Sequence, residues 1–363
     1  MFEFVSDLLR QSPDCVGFVS RFEIRISIRA SMDVTIEQTR CADHVDRLRN
    51  LVDEALAVLV PAQKPVGLYE PVRYVLEGQG KRLRPVLLLL GAEAFGVEAR
   101  RALPAAVAVE VFHNFTLVHD DIMDRAPARR GRPTVHVKWD ADTAILCGDY
   151  LLSLSYALLA RVATEALPRL VRVYSEMVAR LCEGQTLDKA FETHHDVTVA
   201  DYLHMVDCKT GALLQVALEL GGLIGQASEA HLATLREIGR EVGRAFQIQD
   251  DLLDLVAEDA RWGKAIGGDL IAGKKTLLLL AALEQTQDAE HDWFAGILYN
   301  GGLPAREVPH ARARMDRLGV LDDARQAVLR HTTAALECLE ALPQGAAVDT
   351  IGWLIQRMQA RLH

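Results

Sequence analysis

A single large all-α helical bundle is the fold class that this sequence predicts, and three observations predict it. From about residue 36 onward, apolar residues recur at i, i+3, i+4 and i+7, the period of a helix with one buried face. Gly and Pro fall mostly at the ends of these periodic segments. No Asn-Gly-type turn joins alternating runs, so no β-hairpin is expected, and no Pro/Gly/Ser linker divides the 363 residues.

The periodicity predicts helices over 36–60, 67–78, 83–95, 102–124, 140–162, 166–187, 199–207, 210–224, 228–256 and 275–286, then over 306–315, 320–341 and 347–361. The 83–95 segment follows Gly80-Lys81-Arg82-Leu83-Arg84-Pro85 and contains the apolar run Val86–Leu90, which like Leu277–Leu283 is too short to cross a bilayer. The 102–124 segment ends in Asp120-Asp121-Ile122-Met123-Asp124, and the 228–256 segment ends in Asp250-Asp251-Leu252-Leu253-Asp254. Residues 1–35 are expected to be an N-terminal extension to a domain over 36–363. Residues 22–28 alternate like a strand, Met32 is an alternative start, and no signal-peptide apolar core is present.

A net charge of −10 excludes general nucleic-acid binding, which needs a basic footprint. The six cysteines are scattered without a Cys-x-x-Cys pair, which reads as reduced core cysteines of a cytoplasmic protein.

Each Asp-Asp-x-x-Asp cluster sits among apolar neighbours. Phe115, Leu117, Val118 and Ile122 flank the first, and Phe246, Ile248, Leu252, Leu253 and Leu255 the second. Like charges on a mostly buried helix are unfavourable unless a cation joins them. Residues four apart share a helix face, so Asp120 and Asp124 point together, as do Asp250 and Asp254; Asp121 and Asp251 lie about 100° round. Such carboxylates make a poor closed cage for Mg²⁺ and suit an open site that waters and phosphate oxygens complete. Basic clusters supply the complement: Lys81 and Arg84 at a helix entrance, Arg129-Arg130 in the loop after the first acidic helix, and Lys274-Lys275. Arginine forks match phosphate oxygens. His113 lies seven residues before Asp120, about 20° away on the wheel, and Gln247 lies three before Asp250.

Over roughly residues 40–360, the ordered segments GKRLRP (80–85), HNFTLVHDDIMD (113–124), RRGRPT (129–134), GQTLD (184–188), KTG (209–211), FQIQDDLLD (246–254) and GKAIGGDLIAGKKT (263–276) resemble the trans-isoprenyl diphosphate synthases, or polyprenyl synthetases. The resemblance implies an isoprenoid-synthase-like bundle around a central active-site cavity, and a homodimer. It also implies a prenyltransferase that joins isopentenyl diphosphate to an allylic diphosphate by ionisation, condensation and elimination with Mg²⁺, three ions per site. It implies that Asp120, Asp124 and Asp250 bind metal, with Asp121, Asp251, Asp254 and Lys209 also in the catalytic set. Arg129, Lys209, Thr210, Gln247, Lys264 and Lys274 are implied for the allylic diphosphate. Lys81, Arg84, His113 and Arg130 are implied for isopentenyl diphosphate.

Chain length in the resembling enzymes is read four and five residues before the first Asp, here Thr116 and Phe115. One aromatic there resembles enzymes that stop at C20, with C15 next. On the wheel Phe115 lies about 140° from Asp120, against about 80° for Phe112, so Phe112 is a rival floor. Two other readings compete. A class I terpene cyclase resembles one aspartate motif but has no need of Lys81, Arg84, His113 and Arg130. A non-catalytic partner subunit is expected to have lost site residues, and all are present.

Overall fold

The computed structural model describes residues 37–194, 196–257 and 266–360. The expected extension over 1–35, His195 of the His194-His195-Asp196 triplet and Lys264 lie outside the described residues. Helix α1 covers residues 37–57. It is followed by α2 (Val66–Leu76), α3 (Leu83–Glu93) and α4 (Ala99–Met123), the helix that ends in the first aspartate motif. A small antiparallel pair, β1 (Ala128–Arg129) and β2 (Arg132–Pro133), leads through the short α5 (Val135–Lys138) to α6 (Ala141–Leu159) and α7 (Leu167–Phe191). Then come α8 (Val199–Val206), a π-helical turn (Asp207–Gly211), α9 (Ala212–Ile224) and α10 (Glu229–Val256), which carries the second motif. The rest is α11 (Gly268–Ile271), α12 (Leu277–Gln285), α13 (Asp288–Tyr299), α14 (Val308–Arg317), α15 (Val320–Cys338) and α16 (Ala346–Gln359).

The all-α expectation holds, and its layers follow from which helices are apolar all round. Every residue of α9 is buried, and so is the run Pro85–Ala92 of α3; helices without a polar face belong at the centre of a bundle. These two cross closely because Gly221 has no side chain: a methyl there would strike the Leu88 carbonyl. Helix α4 packs on α3 and α6, while α10 packs on α9 and α15. The C-terminal half of α10 buries Ile248, Leu252 and Leu255 in a second apolar cluster with Leu279, Phe294 and Met315. Both aspartate motifs thus stand at the ends of long helices rooted in the core. Among the described residues no helix is long and apolar enough to cross a membrane.

Three local features differ from expectation. A hairpin exists where none was expected, because its two-residue turn is Arg130-Gly131 rather than Asn-Gly, with φ 52° and 75°. An arginine in that left-handed region costs about 1–2 kcal/mol, so the turn is held for what it presents. Helix α13 was not expected; its Trp293, Phe294, Ile297 and Leu298 carry the helical spacing within a polar stretch. The break expected near 208 is a continuous path through the π-turn, which swings Lys209 and Thr210 off the regular spacing. Of the cysteines, 41, 147 and 208 are buried as expected, but Cys182 is exposed.

Candidate active site

The first motif divides into two functions because its neighbours lie on different faces of α4. Asp120 is half-buried and Asp124, the last residue of the turn, is exposed. Burial pushes the Asp120 carboxyl up; Lys209 opposes that, Asp124 adds to it, and Arg129 and Asp188 act in the same two senses more weakly. These groups therefore share one electrostatic site. Asp121 turns elsewhere: it is buried, and its Oδ1 accepts from both Nε and Nη2 of Arg129 at 2.8 Å. Its observed contact is positioning of the arginine. Arg130, in the strained turn, donates to the Gln79 carbonyl and so ties the hairpin to the loop before α3.

GQTLD brings residues that sequence reasoning left without a role. Gly184 lets α7 run against the π-turn, since a methyl there would strike the Lys209 backbone. Asp188, one turn later, accepts from Lys209 Nζ, and Lys189 donates to Asp124 Oδ1 at 3.1 Å. The signal was in the sequence: Gly184 and Asp188 are four apart, on one face of α7, and both meet the Lys209 turn.

The second motif is also split. Asp250 is half-buried; burial lowers the Arg84 pKa, and Asp250 lies close enough to that guanidinium to oppose the shift, as Glu110 does more strongly. Asp251 is buried, accepts from the Tyr202 hydroxyl, from Gln247 Nε2 at 3.0 Å and from the Leu277 N–H at 3.3 Å, and is pushed up to about 7 by burial. Asp254 is buried and accepts from the Asp269 N–H at 3.1 Å. Thus Asp251 and Asp254 pin α8, the start of α12 and the first turn of α11 to α10. Gln247 Oε1 in turn accepts from the Thr210 hydroxyl at 2.9 Å, which links the π-turn to the same helix.

Two separate cationic sets face these acids. In one, Arg84 Nη1 lies 3.3 Å from His113 Nε2, and Arg84 Nε is buried without a hydrogen-bond partner among the described residues. A guanidinium can only donate, so Nε2 accepts and the imidazole is neutral with its proton on Nδ1. Burial holds the His113 pKa well below its ordinary value, and Arg84, Arg130, Arg129 and Arg82 add to the effect. Lys81 is exposed at the entrance to this set. In the other set, Lys274 lies 3.3 Å from Asp269; burial lowers its pKa, but Asp269, Asp124 and Asp188 outweigh that and raise it. Lys274 on the second-motif side thus senses the acids of the first. Lys275, next in sequence, is buried and donates to the Phe191 carbonyl.

The His113 shift has a sign that can be tested. Below about pH 6.5 the unfolded chain binds a proton that His113 in the fold resists, so stability falls with acidification. Between about pH 7.5 and 5.5 the substrate-free wild type is expected to lose more thermal stability than His113→Gln. Calorimetry checks this; parallel curves for the two proteins would count against the neutral imidazole.

The residues fit a hard divalent ion in an open site. Among the described residues no group of three or more His, Cys, Asp or Glu side chains could hold an ion alone. Asp120 and Asp124 offer carboxylate oxygens, the donors that Mg²⁺ prefers, and leave positions for water and phosphate. The unpartnered Arg84 Nε is an anion donor in waiting.

The expected chain-length residues lie deeper on α4. Phe112 is fully buried, with its ring 5.6 Å from Tyr174 and 5.3 Å from Phe115. Phe115 is half-buried and stacks on His119, 4.7 Å away. His119 packs against Gly148 of α6, so this pair lies on the α6 side. Thr116 is buried and its hydroxyl donates to the His113 carbonyl at 2.8 Å.

Comparison with known proteins agrees with this arrangement. Residues 65–311 match the polyprenyl synthetase family. The geranylgeranyl diphosphate synthase of Methanosarcina mazei is 41% identical over 303 residues, covering 82% of this chain and 92% of that protein. The geranylfarnesyl diphosphate synthase of Natronomonas pharaonis is 38% identical over 346 residues, 87% of this chain and 98% of the other. Among solved structures, geranylgeranyl pyrophosphate synthetase from Pyrococcus horikoshii superposes with a TM-score of 0.82 at 36% identity, covering 89% of this chain and 98% of that one. With two aspartate motifs on core helices and a match across most of its length, this chain belongs to the polyprenyl synthetase family of prenyl-transferring enzymes.

Proposed function

We propose that this chain condenses isopentenyl diphosphate with allylic diphosphates of five to fifteen carbons and releases mainly geranylgeranyl diphosphate, with farnesyl diphosphate as the secondary product. The observation that carries the reading is the pair of cationic sets around one divided acidic site. Arg84 and His113 form one set; Lys209, Arg129 and Lys274 form the other. A transferase that joins two diphosphate substrates needs two seats, and a terpene cyclase needs one. The relatives' names add weight for the C20 product, although one names a C25 product.

Asp120 and Asp124 from α4 and Asp250 from α10 would hold Mg²⁺, three ions in our reading. When bound, the ions neutralise charge that gathers on the departing diphosphate. Lys209, Arg129 and Lys274 do the same from the protein side, preorganised by Asp188, Asp121 and Asp269. Lys264, outside the described residues, is assigned to this seat from sequence alone. Thr210 and Gln247 brace the π-turn that carries Lys209. Arg84, Lys81, Arg130 and neutral His113 seat the second diphosphate, so that the homoallylic double bond lies beside the cation as it forms. The proton lost afterwards goes to the released diphosphate, and apolar walls along α4 and α10 keep water from the cation.

The same proposal includes a homodimer, supported by Ile145 and Leu146 of α6, apolar yet 44% and 60% exposed. It also includes a cytoplasmic location and a synthase domain over 36–363, inside which the family match covers residues 65–311.

Incubation with Mg²⁺, isopentenyl diphosphate and each of the C5, C10 and C15 allylic diphosphates is expected to give a C20 diphosphate as the main product by mass spectrometry. No elongation with any primer would refute the reading, and a hydrocarbon product would revive the cyclase.

A further inference from the structure

Arg82 lies in sequence between Lys81 and Arg84, the two cations assigned to the isopentenyl diphosphate seat, but its guanidinium is taken up by protein acceptors. It is 6% exposed, in the left-handed region at φ 49°, and immediately precedes α3. Its Nη1 donates to Glu110 at 2.6 Å, its Nε to Asp53 at 2.8 Å and its Nη2 to the Gly78 carbonyl at 2.9 Å. Glu110 is itself 4% exposed and stands on α4 three residues before His113 and ten before Asp120. Asp53 belongs to α1 and is half exposed at its side chain.

Beside this loop lies a cavity of about 660 Å³, lined by charged side chains such as Asp53, Arg73 and Arg82 and by apolar ones such as Leu56, Val60 and Leu76, so the loop is not packed solid on that side. A buried ion network is also a poor way to add stability, since well-packed apolar residues do as well or better. What such a network does supply is register between the segments it joins. Here those segments are the loop bearing Lys81 with the first turn of α3, which bears Arg84, and the helix bearing His113, Asp120 and, at its C-cap, Asp124.

We infer that Arg82, through Glu110 and Asp53, is a positioning residue that fixes the isopentenyl diphosphate seat at a set distance from the aspartate face of α4. The inference rests on the function proposed above. Removing the anchor frees the loop, which moves Lys81, and unpins the N-cap of α3, which loosens Arg84 in its first turn relative to His113. The cations of the allylic seat are held by other acids: Lys209 by Asp188, Arg129 by Asp121 and Lys274 by Asp269.

Steady-state kinetics with each substrate varied in turn tests this on Glu110→Gln, which keeps the side-chain shape. The KM for isopentenyl diphosphate is expected to rise about tenfold, the cost of a lost charged hydrogen bond. The KM for the allylic primer and kcat are expected to change less than about threefold. Asp53→Asn, at a half-exposed position, is expected to show the same selectivity at smaller size and serves if Glu110→Gln fails to fold. Arg82→Lys, which keeps the charge, should fall between wild type and Arg82→Met. Equal rises in both KM values, or lowered thermal stability with KM for isopentenyl diphosphate unchanged, would overturn the inference. Failure of the underlying function shows differently, as a wild-type protein that elongates no primer.

Discussion

Asp120→Ala is expected to lower kcat by on the order of 10³-fold or more while the protein stays folded. The size follows from position. Asp120 is the half-buried acid that shares a site with Lys209, Asp124, Arg129 and Asp188, and it is the candidate ligand held deepest on α4. Folding is spared because removing one charge from a cluster of like charges relieves repulsion. Circular dichroism and a melting curve alongside the kinetics check both halves. The neighbouring Asp121 sets the contrast: its carboxylate is spent on Arg129, so its loss acts on the allylic KM through that arginine.

Phe112→Ala is expected to move the main product beyond C20, whereas Phe115→Ala leaves it at C20. Phe112 is fully buried and braced by Tyr174, and it lies toward the aspartate side of α4. Phe115 points to α6, where it covers His119. Truncating a buried Phe costs about 3–5 kcal/mol of stability, so the melting temperature should fall as the product lengthens. Product analysis by mass spectrometry reads the outcome. The reverse pattern, lengthening with Phe115→Ala alone, would place the floor on the α6 side.

How far the sequence led differs from residue to residue, for physical reasons. Helical periodicity showed α3, α4, α9 and α10 because their burial is regular, and wheel geometry placed His113, Asp120 and Asp124 on one face. The 100° offset of Asp121 from Asp120 was read as near enough for a second contact at the same site, whereas the contact it makes is with Arg129. The partner was less legible, since Arg129 reaches it only through a hairpin turn with a left-handed arginine. Tyr202 lies 49 residues before Asp251, and no local pattern announces such a pair. Asp188, within the quoted GQTLD segment, and Lys189 had no assigned role until α7 was laid beside the π-turn. Lys275, adjacent to Lys274 in a basic pair, proved to be a buried anchor for the α7 C-terminus. Long-range packing separated these residues, and composition could not.

The central claim is that the two aspartate motifs are halves of one metal site that closes only around a diphosphate. Titration of Mn²⁺ into the protein, followed by electron paramagnetic resonance with and without inorganic diphosphate, tests it most directly. The account predicts weak binding without diphosphate and several tightly held ions with it, the diphosphate-dependent binding being lost in both Asp120→Ala and Asp250→Ala. Tight binding that ignores diphosphate, or that survives Asp250→Ala unchanged, would contradict it.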